Sequence, residues 1–295
     1  MLARLFEAGF LKILLTGANG FTGQHFAAWA AKRGHSMVSL EANLCDAEAV
    51  VNQVSGYDFT HVVHLAAISF VGHKDERAFY DVNVFGTLNL LRALIKAGVK
   101  PQRVLAASSA NVYGNTLLSP IAETAVPAPV NHYATSKLAM ECMARTFADQ
   151  LPILITRPFN YTGPGQALSF LIPKLVSHFR ARAKFIELGN LDVEREFNDV
   201  RMVCDAYLRL LEYGVPGATY NVCSGKPHTL RSVISTLEQL TEHALDIRVN
   251  PAFVRSNEIK RLCGDPSKLT NTVGPLICPS LQETLAWMLG TGDNP

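Results

Sequence analysis

The feature that most narrows the possible folds is a short apolar run that stops at glycine. Leu11-Lys12-Ile13-Leu14-Leu15-Thr16 leads into Gly17-Ala18-Asn19-Gly20-Phe21-Thr22-Gly23, and a helical stretch follows to about Arg33. A brief apolar run of this kind reads as a strand buried on both faces, which occurs almost only in parallel sheets covered by helices. Glycines at these positions permit a tight turn, close helix–strand packing and close approach of a pyrophosphate to the backbone. The helix start then offers N–H donors and partial positive charge. The spacing is GxxGxxG rather than the simplest GxGxxG, so the strand–turn–helix context carries the argument.

The pattern recurs. Ser36 to Leu40, Thr60 to Ala67, Arg103 to Ala107 and Leu151 to Thr156 read as further strands, separated by helical stretches. One of these runs from Asp81 to Ala97 and stops at Gly98. The alternation predicts an α/β chain with a doubly wound parallel Rossmann sheet and a smaller, interwoven C-terminal part. The division falls at residues 1–160 and 161–295, with some later segments returning to the first part. Ligands in such sheets bind beyond the carboxyl ends of the strands. Glu41 stands at the end of the second strand, where a carboxylate accepts hydrogen bonds from an adenosine ribose and repels a 2′-phosphate, which leans toward NADH. His64, inside an apolar strand, reads as a packed core residue.

A second constellation carries the chemistry. Tyr133 and Lys137 lie four apart on a helix and so share a face. The Lys137 ammonium is expected to favour the Tyr133 phenolate and lower a pKa of about 10. Ser109, delivered by the end of the fourth strand, could hold a substrate oxygen against that phenol. This set can move a proton on or off a carbonyl or carbinol oxygen while a hydride moves at the attached carbon.

Composition excludes other classes. A net charge of +2 over 295 residues, with no Lys/Arg cluster, gives no nucleic-acid footprint. The nine histidines form no HxxxH or HExxH pattern, so no metal site is expected. The six cysteines show no CxxC spacing and read as reduced thiols of a cytoplasmic protein. Glu7 and Lys12 interrupt any signal-peptide core, and no apolar stretch is long enough to span a bilayer, so no membrane partner is expected.

Taken in order, TGANGFTG (16–23), HLAA (64–67), NVFGTLNLL (83–91), SSANVYG (108–114), YATSK (133–137) and RPFNYTGPGQ (157–166) resemble the extended short-chain dehydrogenases/reductases. The resemblance covers about residues 12 to 290. It implies a bound NAD(H) or NADP(H), a nucleotide-sugar substrate, and a homodimer built from the helices around 81–97 and 131–149. LGNLDVEREF (188–197), RSNEIKRLCGDPSKL (255–269) and PGQALSFLIPKLV (164–176) narrow it to the GDP-mannose 4,6-dehydratase and GDP-4-keto-6-deoxymannose reductase branch.

By position, the resemblance implies Ser109, Tyr133, Lys137 and Asn83 as the catalytic group. Cofactor contacts would come from Gly17, Asn19, Gly20, Phe21, Thr22 and Gly23 in the turn, and from Glu41, Asn43 and Leu44 after the second strand. Leu65, Ala66 and Ala67, together with Tyr133, Lys137 and Arg157, complete that set. Ser69, Asn111, Asn160 and Lys174 would meet the substrate. Arg195 and Arg255 would neutralise its diphosphate, and Glu258 would meet the nucleotide's ribose. Glu196 stands where the branch commonly has Asp, and His132 where relatives often have Pro. Dehydratases of the family carry acidic side chains just after the catalytic Ser/Thr; here those positions are Ala110 and Asn111. The expected reaction is therefore reduction of a 4-keto-6-deoxy sugar, with 4-epimerisation as the alternative and a non-catalytic dinucleotide sensor as a remote one.

Overall fold

The structure, a computed structural model, describes residues 9–253 and 259–290. Its first half comprises β1 (Lys12–Thr16), α1 (Phe21–Lys32), β2 (Ser36–Leu40), α2 (Ala47–Ser55), β3 (His61–His64), α3 (Glu76–Tyr80), α4 (Thr87–Lys96), β4 (Arg103–Ala107), α5 (His132–Arg145) and β5 (Ile153–Pro158). The later elements are β6 (Tyr161–Thr162), α6 (Leu171–Arg180), β7 (Phe185–Leu188), β8 (Glu194–Glu196), β9 (Asn198–Asp199), α7 (Val200–Tyr213) and β10 (Thr219–Val222). These are followed by β11 (Pro227–Thr229), α8 (Leu230–Thr241), β12 (Asp246–Val249), β13 (Arg261–Leu262), α9 (Ser267–Val273) and α10 (Leu281–Leu289).

The main sheet has six strands in the order β10-β5-β4-β3-β1-β2, and every pairing in it is parallel. It is a Rossmann sheet, and its sixth strand, β10, returns from the second half to pair with β5 in the register Thr219↔Ile155. Alternation of side chains along β1 builds both faces. Ile13 and Leu15 pack with Phe26 and Ala30 of α1 and with Val203, Tyr207 and Leu210 of α7. Leu14 points the other way, into a core shared with Val50 and Val54 of α2, Leu90 and Leu94 of α4, and Met140 of α5. Each such aliphatic side chain taken out of water contributes about 1.5–3 kcal/mol. A third core, around Leu175, Phe179, Leu188, Val233, Leu237 and Leu285, joins α6, α8 and α10 to β7.

Two elements differ from their sequence expectation. β3 ends at His64, so Leu65 to Ala67 form a loop rather than strand. The helix expected from Asp81 begins earlier, where Asp75 caps α3 by accepting from Arg77 N and Ala78 N. It then passes through a π-helical turn at Asp81–Gly86 before becoming α4. One extra residue in that turn rotates the following face, which blurs a simple 3.6-residue period.

Candidate active site

The turn after β1 needs its glycines for reasons internal to the chain. Gly17 has φ +72°, and a Cβ there would lie 2.7 Å from Ala66 N; a Cβ on Gly23 would lie 2.1 Å from Gly17 O. Gly20 caps α1 without any side-chain hydrogen bond. The first N–H groups of α1 and the positive end of its dipole thus stand beside the cleft without a carboxylate or hydroxyl of their own. That cleft, about 240 Å³, is lined by Thr16 to Asn19, by Leu40 to Cys45, and by Ala66 and Val82. Asn19 Nδ2 donates to Glu41 Oε2 at 3.3 Å. Asn43 holds its loop by accepting from Cys45 N, and the Leu44 carbonyl accepts from Asn89. Arg33 is committed elsewhere, stacked 3.6 Å from the Trp29 ring. Donors at a helix start, a strand-end carboxylate and a cleft at the carboxyl ends of β1–β3 fit a dinucleotide.

Deeper in, α5 carries Tyr133 and Lys137, both buried. Asn131 starts this helix by accepting from Ala134 N at 2.9 Å. The Tyr133 hydroxyl lies near enough to the Ser109 side chain for Ser109 to lower its pKa. Ser109 ends the loop after β4 and accepts from Asn111 N and Asn111 Nδ2, each at 3.2 Å. Lys137 Nζ donates to Ala107 O at 2.7 Å. Asn83, in the π turn, clamps the surrounding pieces: Oδ1 accepts from Ile68 N at 2.9 Å, and Nδ2 donates to Ile68 O and to Ser136 Oγ at 3.2 and 3.0 Å. His132, in place of the commoner Pro, tethers α5 to α3 through Tyr80 OH and Glu76.

The expected electrostatics are reversed in one respect. Burial raises the Tyr133 pKa, against a smaller lowering by Ser109. Burial also lowers Lys137 to about 8, with Glu141 pulling the other way. The ammonium is aimed at the Ala107 carbonyl, and desolvation of the phenol dominates. Tyr133 therefore holds its proton at neutral pH and stands as an acid.

Arg157 makes a buried ion pair within the chain. Rather than facing the cofactor cleft, its guanidinium is buried and bidentate to Glu141, with Nε···Oε1 at 2.9 Å and Nη2···Oε2 at 2.6 Å. It also sits 4.8 Å from the Tyr113 ring. The planar fork matches a carboxylate on α5, and this pairing anchors the catalytic helix to β5.

The remaining candidate residues are more dispersed. Ser69 is exposed on the loop after β3, and Ala67 is half-buried there. Asn160 is exposed, with its carbonyl accepting from Asn198 N. Lys174 Nζ donates to Glu187 O at 2.7 Å and lies 4.9 Å from the Phe253 ring. Arg195 is central in the three-stranded sheet β11-β8-β13, in register with His228 and Leu262. Arg255 and Glu258 lie outside the described residues.

Two residues not assigned roles from sequence matter structurally. Tyr161, inside the RPFNYTGPGQ stretch, hydrogen-bonds Thr22 Oγ1 at 2.8 Å and stacks on Phe21, joining the second half to the start of α1. Glu196, fully buried beside Arg195, accepts from Asn198, Ser224, Gly225 and Gly264. The only signal for it was an acid next to the motif arginine.

Comparison with known proteins agrees with this geometry. The profile of the GDP-mannose 4,6 dehydratase family matches residues 32–275. GDP-6-deoxy-D-talose 4-dehydrogenase of Aggregatibacter actinomycetemcomitans is 37% identical over 272 residues, covering 90% of this chain and 92% of that protein. GDP-6-deoxy-D-mannose reductase of Pseudomonas aeruginosa is 35% identical, covering 89% and 91%. The structure of RMD from Pseudomonas aeruginosa complexed with NADPH superposes with a TM-score of 0.88 at 32% identity, covering 95% and 98% of the two chains. The chain belongs to the GDP-mannose 4,6 dehydratase family, within the NAD-dependent epimerases and dehydratases.

Proposed function

We propose that the chain is an NAD(P)H-dependent 4-ketoreductase of a GDP-linked 4-keto-6-deoxy sugar. The observation that carries this is the pair of residues following Ser109. Ala110 is a buried methyl group, and the Asn111 amide is bonded to Ser109 Oγ. Elimination of water across C5–C6 needs a base and an acid there, and neither group transfers protons near neutral pH. What survives is transfer of one hydride and one proton. The two relatives named above support redox chemistry on a GDP-6-deoxyhexose, and the name of the first places it at C4.

Held in the cleft at the carboxyl ends of β1–β3, a reduced dinucleotide would supply the hydride. Tyr133 gives its proton to the oxygen developing at C4, and Ser109 holds that oxygen by a hydrogen bond. Tyr133 carries a proton at neutral pH, and because burial raises its pKa the transfer depends on Ser109 and the Lys137 ammonium, one turn away on the same face, favouring the phenolate left behind. Asn83 acts by position, tying the loop at Ile68 to α5. The turn residues from Gly17 to Gly23, with Glu41, Asn43, Leu44 and the Leu65–Ala67 loop, hold the dinucleotide. Asn111, Asn160, Lys174 and Arg195 would meet the nucleotide sugar, bound between the 1–160 and 161–295 portions; the family resemblance adds Arg255 and Glu258, which lie outside the described residues.

We infer a homodimer through the helices around 81–97 and 131–149. Phe85 is 55% exposed there, whereas Met140, Met143 and Phe147 pack into the chain's own core. A monomeric mass by light scattering at micromolar concentration would contradict it. Six unpaired cysteines support the reducing cytoplasm.

The test is two incubations. GDP-mannose with NAD⁺ or NADP⁺ yields no 4-keto-6-deoxy product, whereas a GDP-4-keto-6-deoxy sugar with NADH or NADPH oxidises the cofactor stoichiometrically. A 4-keto product in the first would refute the argument from Ala110. A 4-epimer formed from an unmodified sugar nucleotide, without net cofactor oxidation, would replace reduction by epimerisation.

A further inference from the structure

We propose that His64 is a positioning residue: its neutral imidazole couples the end of β1 to Asn83, and through Asn83 fixes the Tyr133–Lys137 helix against the cofactor loop. The inference rests on the reductase reading above.

The hydrogen bonds around His64 admit a single consistent direction. Thr87 Oγ1 lies 2.8 Å from Asn83 O, a carbonyl that can only accept, so the Thr87 hydroxyl spends its one proton there. Toward His64 Nε2, 2.7 Å away, Thr87 Oγ1 must then accept, which places the ring proton on Nε2. Nδ1 of the neutral ring is consequently an acceptor and takes the proton of Thr16 Oγ1 at 2.7 Å. Thr16 Oγ1 in turn accepts from Ala66 N at 3.1 Å. The result is a relay of fixed polarity, Ala66 N–H to Thr16 to His64 on one side, and His64 to Thr87 to the Asn83 carbonyl on the other.

Its ends are functional walls. Thr16 immediately precedes Gly17, and Thr16 and Ala66 both line the dinucleotide cleft. Asn83 grips Ile68 twice and Ser136 once, and Ser136 lies between Tyr133 and Lys137 on α5. Every ring nitrogen is used, and His64 is buried among Thr16, Thr87 and the apolar strand core. Burial, reinforced by the Lys137 charge, keeps the ring uncharged. An apolar replacement would fill the space but leave the two walls without a shared reference point. His64 touches neither cofactor nor substrate in this account; it acts through Thr16 and Asn83.

The two nitrogens allow the two arms to be cut separately. In His64→Asn the short amide keeps an acceptor for Thr16 but falls short of Thr87. In His64→Gln the longer amide reaches Thr87 with a donor. Thr87→Val removes the Asn83 arm while leaving the ring. The readouts are NADPH dissociation by fluorescence titration, kcat on a GDP-4-keto-6-deoxy sugar, and Tm. His64→Asn and Thr87→Val are expected to lose about tenfold or more in kcat with a smaller change in NADPH affinity, and His64→Gln to lose more in affinity than in kcat, the scale of one hydrogen bond per arm. If all three variants lose kcat and affinity together, in proportion to their loss of Tm, His64 is packing alone and the proposal is wrong. A wild-type chain that binds NADPH but reduces no keto sugar would refute the reductase reading. The affinity difference between His64→Asn and His64→Gln would then decide this inference by itself, a difference supporting it and equality overturning it.

Discussion

Beneath the catalytic helix a buried carboxylate, Glu141, meets a buried cation, Arg157, through two parallel hydrogen bonds. In the C-terminal half the equally buried Glu196 is held by N–H and O–H donors instead. Its Oε2 accepts from Ser224 N, Ser224 Oγ, Gly225 N and Asn198 Nδ2, and its Oε1 from Gly264 N. The first pair fastens α5 to the neighbouring β5. The second gathers segments 28 and 68 residues downstream around the strand that carries Arg195. The contrast teaches where each half keeps its precision. The half that carries Tyr133 and Lys137 is built on regular elements already adjacent in the sheet, and one ion pair locks α5 to β5. The half that carries Arg195 is made of short strands and turns that converge on the Glu196 side chain.

The sharpest way to break that contrast is Glu196→Ala. It strands the backbone N–H groups of Ser224, Gly225 and Gly264, at about 1–3 kcal/mol for each buried donor. We expect the largest loss of denaturation midpoint of any variant considered, and a midpoint within error of wild type would show that the C-terminal half has another anchor. Glu141→Ala should cost about 3–5 kcal/mol by leaving Arg157 buried and unpaired. The double change Glu141→Met with Arg157→Met should recover most of that in chemical denaturation. Failure to recover would mean that the pair does more than fasten α5 to β5.

Lys137 sharpens the comparison from the other direction, because here function opposes stability. Burial holds its folded pKa at about 8, below the ordinary lysine value of 10.5. The unfolded chain therefore binds more protons between these values, and the penalty for charging buried Lys137 is fully present below about pH 8 and fades as pH rises toward 10.5. Lys137→Met should be inactive yet more stable at pH 7, by up to about 3 kcal/mol, with the gain gone near pH 10.5. Equal stability at pH 7 would mean that the Ala107 hydrogen bond offsets the burial. The smallest effect concerns the cofactor. With Glu41 at the cleft and Arg33 stacked on Trp29, NADH should show the higher kcat/KM, by less than about tenfold on the scale of one unfavourable contact. A higher value with NADPH would overturn the preference.

These differences also explain what could be read from the chain before its structure. The β1–turn–α1 unit was legible because the run into glycine is local and a Cβ on Gly23 would meet Gly17 and Ala18 a few residues away, whereas the constraint on Gly17 comes from Ala66 in the loop after β3. Tyr133 and Lys137 were legible because helical spacing alone puts them on one face. The Arg157–Glu141 pair is not legible, because nothing nearby in sequence says that Glu141, on the preceding helix, takes the Arg157 guanidinium. The phenol's raised pKa was missed because spacing gives proximity to Lys137 but not burial, and burial decides the sign. Glu196 was noted only as a departure from Asp, since its partners are distant in sequence. The π turn at Asp81–Gly86 hid the true start of its helix at Glu76, where Asp75 caps.

The most direct test of the account is the fate of the hydride. The chain should be given a GDP-4-keto-6-deoxy sugar with NADH or NADPH deuterated at the transferable C4 position of the nicotinamide, and the product followed by NMR. The account predicts deuterium at C4 of the 6-deoxy sugar, one per cofactor oxidised, and loss of that transfer in Tyr133→Phe while cofactor binding persists. Deuterium absent from C4, or product formed without cofactor oxidation, would contradict it.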